Sequence, residues 1–532
     1  MSTWMLLKTV PFAIILIVLW LVLSTTHRGS ITSFNGWDST TTNDGSKFED
    51  TPEFYDDHKV VDVPKFENTH KFEDVPKYGN GPKVEDASKV QDVTDVEDTV
   101  DDDLVINEKT GQTSGKTWNA AEFKKAWLEA DGKDFYQNRI SEVCRKATWR
   151  KDVVLHMQQS RGGLGNVRAT ILEFFHAAIL VGANVILPSY AMRRPKNETD
   201  AGLGFTDNDI GFHDFSHYFD KDWLLETMGE HCPQLKIYQT VEEASVTSNI
   251  SDIYTWANAR SDKDPKNTEA VLKEQFKKWL TSQKAYTPGS RTLVPVTATL
   301  LNFDIHSRPK LRTALGRLLR INPDVRGLAG EVVWAMRERY NLKETLDPRD
   351  LVPRNSYCGV HLRTEDDAIR AGWTNIYTFD QQTDIFIEMC GRLGFRVIYV
   401  ASGLQADVVR FAEKARASSL TVLGKHDLLS SPAQEMALTL LSWDQQGALD
   451  YEVLARSSYF MGPSVSSFTW SLAIRRYFNN VDVGRGSLKW VNPYAVQEDE
   501  PHVTYDDGIS RVILRPSEID YLQDFSPKGM FP

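Results

Sequence analysis

The chain has 532 residues, with 41% hydrophobic and 11% aromatic content, so length and composition allow several domains and a sizeable packed core. A formal net charge of −12 excludes a general nucleic-acid binder, because phosphate backbones call for basic surfaces. Four cysteines (Cys144, Cys232, Cys358 and Cys390) are too few for a disulfide scaffold and contain no C-x-x-C zinc pair; they leave every pairing open, as well as four buried free thiols.

Val10 to Leu23 is an uninterrupted apolar run. With Trp4 to Leu7 it approaches the roughly 20 residues that a spanning helix needs. Lys8 precedes the run and His27 and Arg28 follow it, so the flanking charge that sets orientation is nearly balanced. The expectation is a short cytoplasmic tail and signal-anchor helix over 1–29, with a signal peptide cut after Ser24 as the competing reading. Either puts the remainder in the secretory lumen. Asn197-Glu198-Thr199 and Asn249-Ile250-Ser251 are glycosylation sequons compatible with that compartment.

Residues 30–117 read as a disordered acidic stalk. Within it, 47–100 divides into nine hexapeptides of the type KFEDTP, KFEDVP and KVEDAS, with Asp or Asn always at the fourth position. This block holds 7 Lys against 15 Asp and Glu, most of the excess negative charge of the chain. A six-residue period can mark a β-helix. One apolar position per repeat and a recurring Pro leave too little to bury, so an extended spacer is expected. Asp101-Asp102-Asp103 closes it as solvated charge.

From about Trp118 the composition becomes globular. Ala120–Ala130 and Tyr136–Lys146 have helical patterns, and Val153–Met157 is a candidate buried strand. Gly162-Gly163-Leu164-Gly165-Asn166 then opens a helical stretch, and Asn184–Pro188 is a second strand. Strand, glycine turn, helix and strand make a βαβ unit. The stretch 254–350 is expected to be mostly helical. The same alternation returns further on: strands at Tyr357–Leu362, Arg396–Ala401, Leu420–Leu423 and Tyr459–Met461, and helices at Phe379–Leu393, Ala406–Arg416, Ala448–Ala455 and Ser466–Tyr477. The expectation is an α/β fold with two α/β units, 118–350 and 351–532, whose strand ends face a cleft.

Three motifs bear on chemistry. The glycine turn at 162–166 lets backbone approach a ligand at a helix N-terminus, with Asn166 as donor and acceptor. It lacks the G-x-G-x-x-G spacing, and a flexible turn is the bland alternative. His361-Leu362-Arg363 closes a strand, so alternation puts His361 and Arg363 on one side, and Arg suits a diphosphate. Glu365, Asp366 and Asp367 come next and are read as solvated loop charge in preference to bases. Ser466 and Ser467 precede the last helix as N-cap residues, with an anion site as the sharper reading. Trp443-Asp444 reads as packing. No G-x-S-x-G elbow, Walker A loop or H-E-x-x-H occurs.

Taken together in this order, Gly162-Gly163-Leu164-Gly165-Asn166, Val360-His361-Leu362-Arg363, Asp450 and Ser466-Ser467-Phe468 resemble the GDP-fucose protein O-fucosyltransferase family and its wider fucosyltransferase relatives. The resemblance spans roughly 150–480. It implies two Rossmann-like domains facing a cleft (GT-B) and inverting transfer from GDP-fucose without a metal or other cofactor. It implies Asn166 at the reaction centre and Arg363 on the donor diphosphate. Gly163, Gly165, His361, Asp450, Ser466, Ser467 and Phe468 would hold the nucleotide-sugar. The implied partners are GDP-fucose and a glycoprotein or glycan acceptor, in a single-pass type II protein of the Golgi or endoplasmic reticulum membrane. Two departures stand out: no Glu lies in the glycine turn to act as base, and the residues after Arg363 are acidic. The competing readings are a metal-dependent glycosyltransferase using Asp207-Asn208-Asp209, and an inactive glycan-binding relative.

Overall fold

The first sheet is built on β1, Arg150–Met157. Its Val153-Val154-Leu155 centre is buried, as expected of a strand covered on both faces. β2 (Ala183–Ile186), β3 (Ile237–Tyr238), β4 (Ser248–Asn249) and β5 (Thr292–Val296) complete it in the order β3-β2-β1-β5-β4, with every neighbouring pair parallel. This computed structural model describes residues 117–130, 136–158, 160, 162–191, 195–197, 200–203, 212–256, 268–298, 308–370, 372–482, 503–513 and 530–531. The apolar run at 10–23, the hexapeptides at 47–100 and the triplet at 207–209 lie outside them.

The second sheet has β6 (Cys358–His361), β7 (Val397–Ala401), β8 (Thr421–Leu423), β9 (Tyr459–Pro463), β10 (Val503–Asp506) and β11 (Ser510–Ile513) in the order β8-β7-β6-β9-β11-β10. All its pairs are parallel except β10 with β11. In both sheets the strand order reverses beside the first strand, between β1 and β5 and between β6 and β9. Such switch points open a crevice at the carboxyl ends of the strands, where ligands bind.

Two helices start at those crevices. α1, Leu164–Val181, comes after β1. It is apolar enough to cross a membrane, but 94% of it is buried inside the protein, and it is a core helix. It stops at Gly182, whose φ of +68° is the left-handed cap that glycine provides. α2, Ser467–Asp482, comes after β9 and packs against α1. The main apolar core is continuous across both halves, taking in Ile171 and Val332 as well as Leu449, Leu454 and Phe460.

The structure adds a strand and a hairpin to the expected elements, lengthens one helix, and settles the cysteine pairing that the sequence leaves open. Within the stretch 254–350, which carries three helices among its described residues, β5 lies directly beside β1. Pro295 obscures that strand in the sequence, because proline cannot donate to a ladder. Here the carbonyls of Leu293 and Pro295 turn away from β1 and accept from Ile250 and Tyr254 N–H, so the missing proline donor costs β1 nothing. The β10–β11 hairpin is an addition to the expected strands. The helix expected from Ala448 begins at Trp443, where Ser442 and Gln445 close a capping box. Finally, the cysteines are paired, Cys144 with Cys232 and Cys358 with Cys390, at Cα separations of 5.5 and 6.1 Å. No free cysteine remains among the described residues.

Candidate active site

A cavity of about 310 Å³ opens where the two sheets' strand ends meet. One wall is the glycine turn. Gly162 has φ +107°, a conformation closed to residues with a Cβ, and a Cβ there would also press on Asn166 at 3.0 Å from Nδ2. Gly163 caps α1 in extended geometry, and Gly162, Gly163 and Asn166 line the cavity. Gly165 is not part of the lining. It faces the start of α2, where an added Cβ would sit 2.5 Å from the Ser467 carbonyl oxygen. Its role in the structure is to let two helix N-termini approach.

A second wall grows from β6. His361, its last residue, is 7% exposed, and its Nδ1 pairs with Thr469 Oγ1 at 3.0 Å. Its ring lies 4.6 Å from that of Phe468. Burial, opposed by the Glu365 carboxylate and assisted by the Arg363 cation, lowers its pKa to about 3, so the imidazole is neutral at physiological pH. Arg363 lies in the loop after it, and Gln382 holds its backbone from both sides, accepting from N–H at 2.9 Å and donating to the carbonyl at 3.0 Å. Ser466, Ser467 and Phe468 at the start of α2 complete this side of the cavity. The Ser466 carbonyl accepts from Trp470 N–H at 3.2 Å, so Ser466 stands at the cap position.

Asp450 lies in the helix Trp443–Ala455, designated α3, and is 3% exposed. Its Oδ1 accepts from Tyr399 at 2.6 Å and its Oδ2 from Lys425 at 2.8 Å. Burial pushes this carboxyl up, against the pull of Lys425 and Tyr399. Asp450 and Lys425 reach the cavity as a paired unit.

Four lining residues are not readable from the sequence as part of a site. Glu365 is 3% exposed and ion-paired to Arg363 at 2.6 Å, so it is not solvated loop charge. Burial raises its pKa, but Arg363, His361 and the Gly403 N–H outweigh burial and hold it down at about 2. Trp443 and Asp444, expected to serve packing, instead line the cavity in the first turn of α3. The signal available was the S-x-x-Q box at Ser442, which starts the helix there. Lys425 comes after Gly424 at the end of β8, a strand-end position in a parallel sheet.

Two mostly parallel α/β sheets that bring a strand-end arginine and paired helix N-termini to one cleft form a crevice suited to an anionic, nucleotide-like ligand. The family model described as GDP-fucose protein O-fucosyltransferase matches residues 154–479, more than half of the chain, and the chain belongs to that family. Among solved structures, POFUT1 in complex with GDP-fucose is 13% identical, with 62% of this chain and 96% of that chain covered and a TM-score of 0.36. NodZ alpha-1,6-fucosyltransferase soaked with GDP-fucose is 11% identical, covering 62% and 92%, with a TM-score of 0.32. The fucosyltransferase NodZ from Bradyrhizobium is 12% identical, covering 62% and 94%, with a TM-score of 0.32. A search of curated proteins gives no match.

Proposed function

We propose that this enzyme transfers fucose from GDP-fucose to a hydroxyl of a protein or glycan, inverting the anomeric carbon and using no metal. The observation that carries this reading is the convergence of Arg363, His361, Asn166 and the Ser466–Ser467 helix start on one cavity. As the acceptor oxygen attacks C1, its hydroxyl proton is released, the bond from C1 to the phosphate oxygen breaks and negative charge grows on GDP. Arg363 and the amides at the start of α2 meet that charge. Asn166, at the start of α1 beside the start of α2, orients the reacting hydroxyl. Neutral His361 and Phe468 wall the nucleotide side, with the Lys425–Asp450 pair beside them.

The compartment in this reading is the secretory lumen, with the run at 10–23 as anchor and 30–117 as spacer. Two disulfides fit an oxidising environment. Asn249 of the second sequon is exposed, as glycosylation requires.

The test is calorimetric titration of the full chain with GDP, UDP and GDP-fucose, with and without EDTA. GDP preference that survives EDTA and disappears in Arg363→Ala is expected. UDP preference, or dependence on a divalent ion, would overturn the reading in favour of Asp207-Asn208-Asp209.

A further inference from the structure

Arg363 and Glu365 are two residues apart in a loop, where an ion pair is ordinarily solvated and weak. Here the side chains are 12% and 4% exposed. The Glu365 carboxylate collects three donors: Arg363 Nη1 at 2.6 Å, Gly403 N–H at 2.9 Å and Thr364 N–H at 3.2 Å. Gly403 sits just past the end of β7, so the carboxylate ties the loop after one strand to the loop after its neighbour. That contact depends on glycine. A Cβ at 403 would lie 2.9 Å from Trp443 Cζ2 and 3.1 Å from Glu365 Oε1. The Arg363 guanidinium also stands 5.8 Å from the Trp373 ring.

A carboxylate beside a phosphate-binding arginine opposes the negative charge of the donor. It therefore contributes little to ground-state attraction, and what it supplies is order. With Gln382 holding the backbone and Glu365 holding the guanidinium, a flexible side chain is fixed before any ligand enters, and the freedom otherwise lost on binding is already gone.

We infer that Glu365 is a positioning residue, which holds Arg363 in the orientation that stabilises the departing diphosphate. The inference rests on the reading of Arg363 given under Proposed function. It assigns to Glu365 no contact with the sugar and no proton transfer.

The test measures hydrolysis of GDP-fucose by the full chain, which needs no acceptor: water attacks C1, and GDP and fucose are released. In Glu365→Gln, kcat is expected to fall by about 100-fold, the scale of a small misplacement of a catalytic group. GDP affinity should change by less than about threefold, because loss of order and loss of repulsion oppose each other. Glu365→Asp keeps the charge with a shorter reach, and should recover about tenfold of the lost rate. If Glu365→Gln fails to fold, Glu365→Asp against wild type supplies the same comparison. Unchanged kcat with a lowered Tm would overturn the inference. Arg363→Ala alone separates the two proposals. If it leaves GDP binding and hydrolysis intact, the donor reading fails. If it abolishes them while Glu365→Gln is silent, only the positioning role fails.

Discussion

Gly165 and Ser467 stand so close that a Cβ on the glycine would lie 2.5 Å from the Ser467 carbonyl oxygen, 2.6 Å from its carbonyl carbon and 2.8 Å from Phe468 N. One residue opens the helix after β1, the other the helix after β9. Their contact fixes Asn166 relative to Ser466 and Phe468 at the cavity.

Gly165→Ala should therefore damage catalysis more than folding. The obstructing atoms are backbone, so one helix start must shift. Overpacking of this kind costs about 1–3 kcal/mol of stability. A displacement approaching 1 Å at the cavity costs roughly 100-fold in rate. Urea unfolding together with GDP-fucose turnover checks this. Turnover within about threefold of wild type would mean that the spacing of the helix starts does not matter to the reaction.

The buried Lys425–Asp450 pair gives a second expectation. Lys425→Met leaves the Asp450 carboxylate buried with Tyr399 as its remaining partner, and loss of one partner of such a pair costs about 3–5 kcal/mol. The double variant Lys425→Met with Asp450→Leu removes the stranded charge and should recover most of that stability. GDP affinity should stay low in the double variant if the pair serves the nucleotide. Recovery of both properties together would make the pair structural only. Denaturant midpoints and GDP titrations on the three proteins decide between them.

Much of this site is legible because strand ends in parallel sheets are marked twice, by an apolar run and by the turn or polar residues immediately after it. Val153–Met157 before the glycine turn, and Tyr357–Leu362 before Arg363, carry both marks. Glu365 is not legible, because a carboxylate in an acidic loop looks solvated until Gly403, some forty residues away, is seen to donate to it. Lys425 and Asp450 lie on different elements and meet only in the folded chain. β5 is hidden by Pro295, whose cost depends on which side of the strand it faces, and sequence does not say. The cysteine pairs are open for the same reason: Cys358 meets Cys390 through the packing of β6 against the helix Phe379–Arg392.

His361 makes stability depend on pH. Its folded pKa is about 3 against 6.5 when unfolded. Between those values the unfolded chain binds more protons than the folded one, so stability rises with pH and falls on acidification. From pH 7 to pH 5 this group alone removes about 2 kcal/mol. His217, lowered to about 4 chiefly by burial with His213 adding to it, acts in the same direction. His361→Asn, which keeps a polar group facing Thr469 but does not titrate, should lose about 2 kcal/mol less than wild type over this interval. Urea unfolding of both proteins at pH 5 and pH 7 measures the difference. Equal losses would mean that the imidazole accepts a proton in the folded enzyme, and that the wall formed by His361 and Phe468 is wetter than its burial indicates.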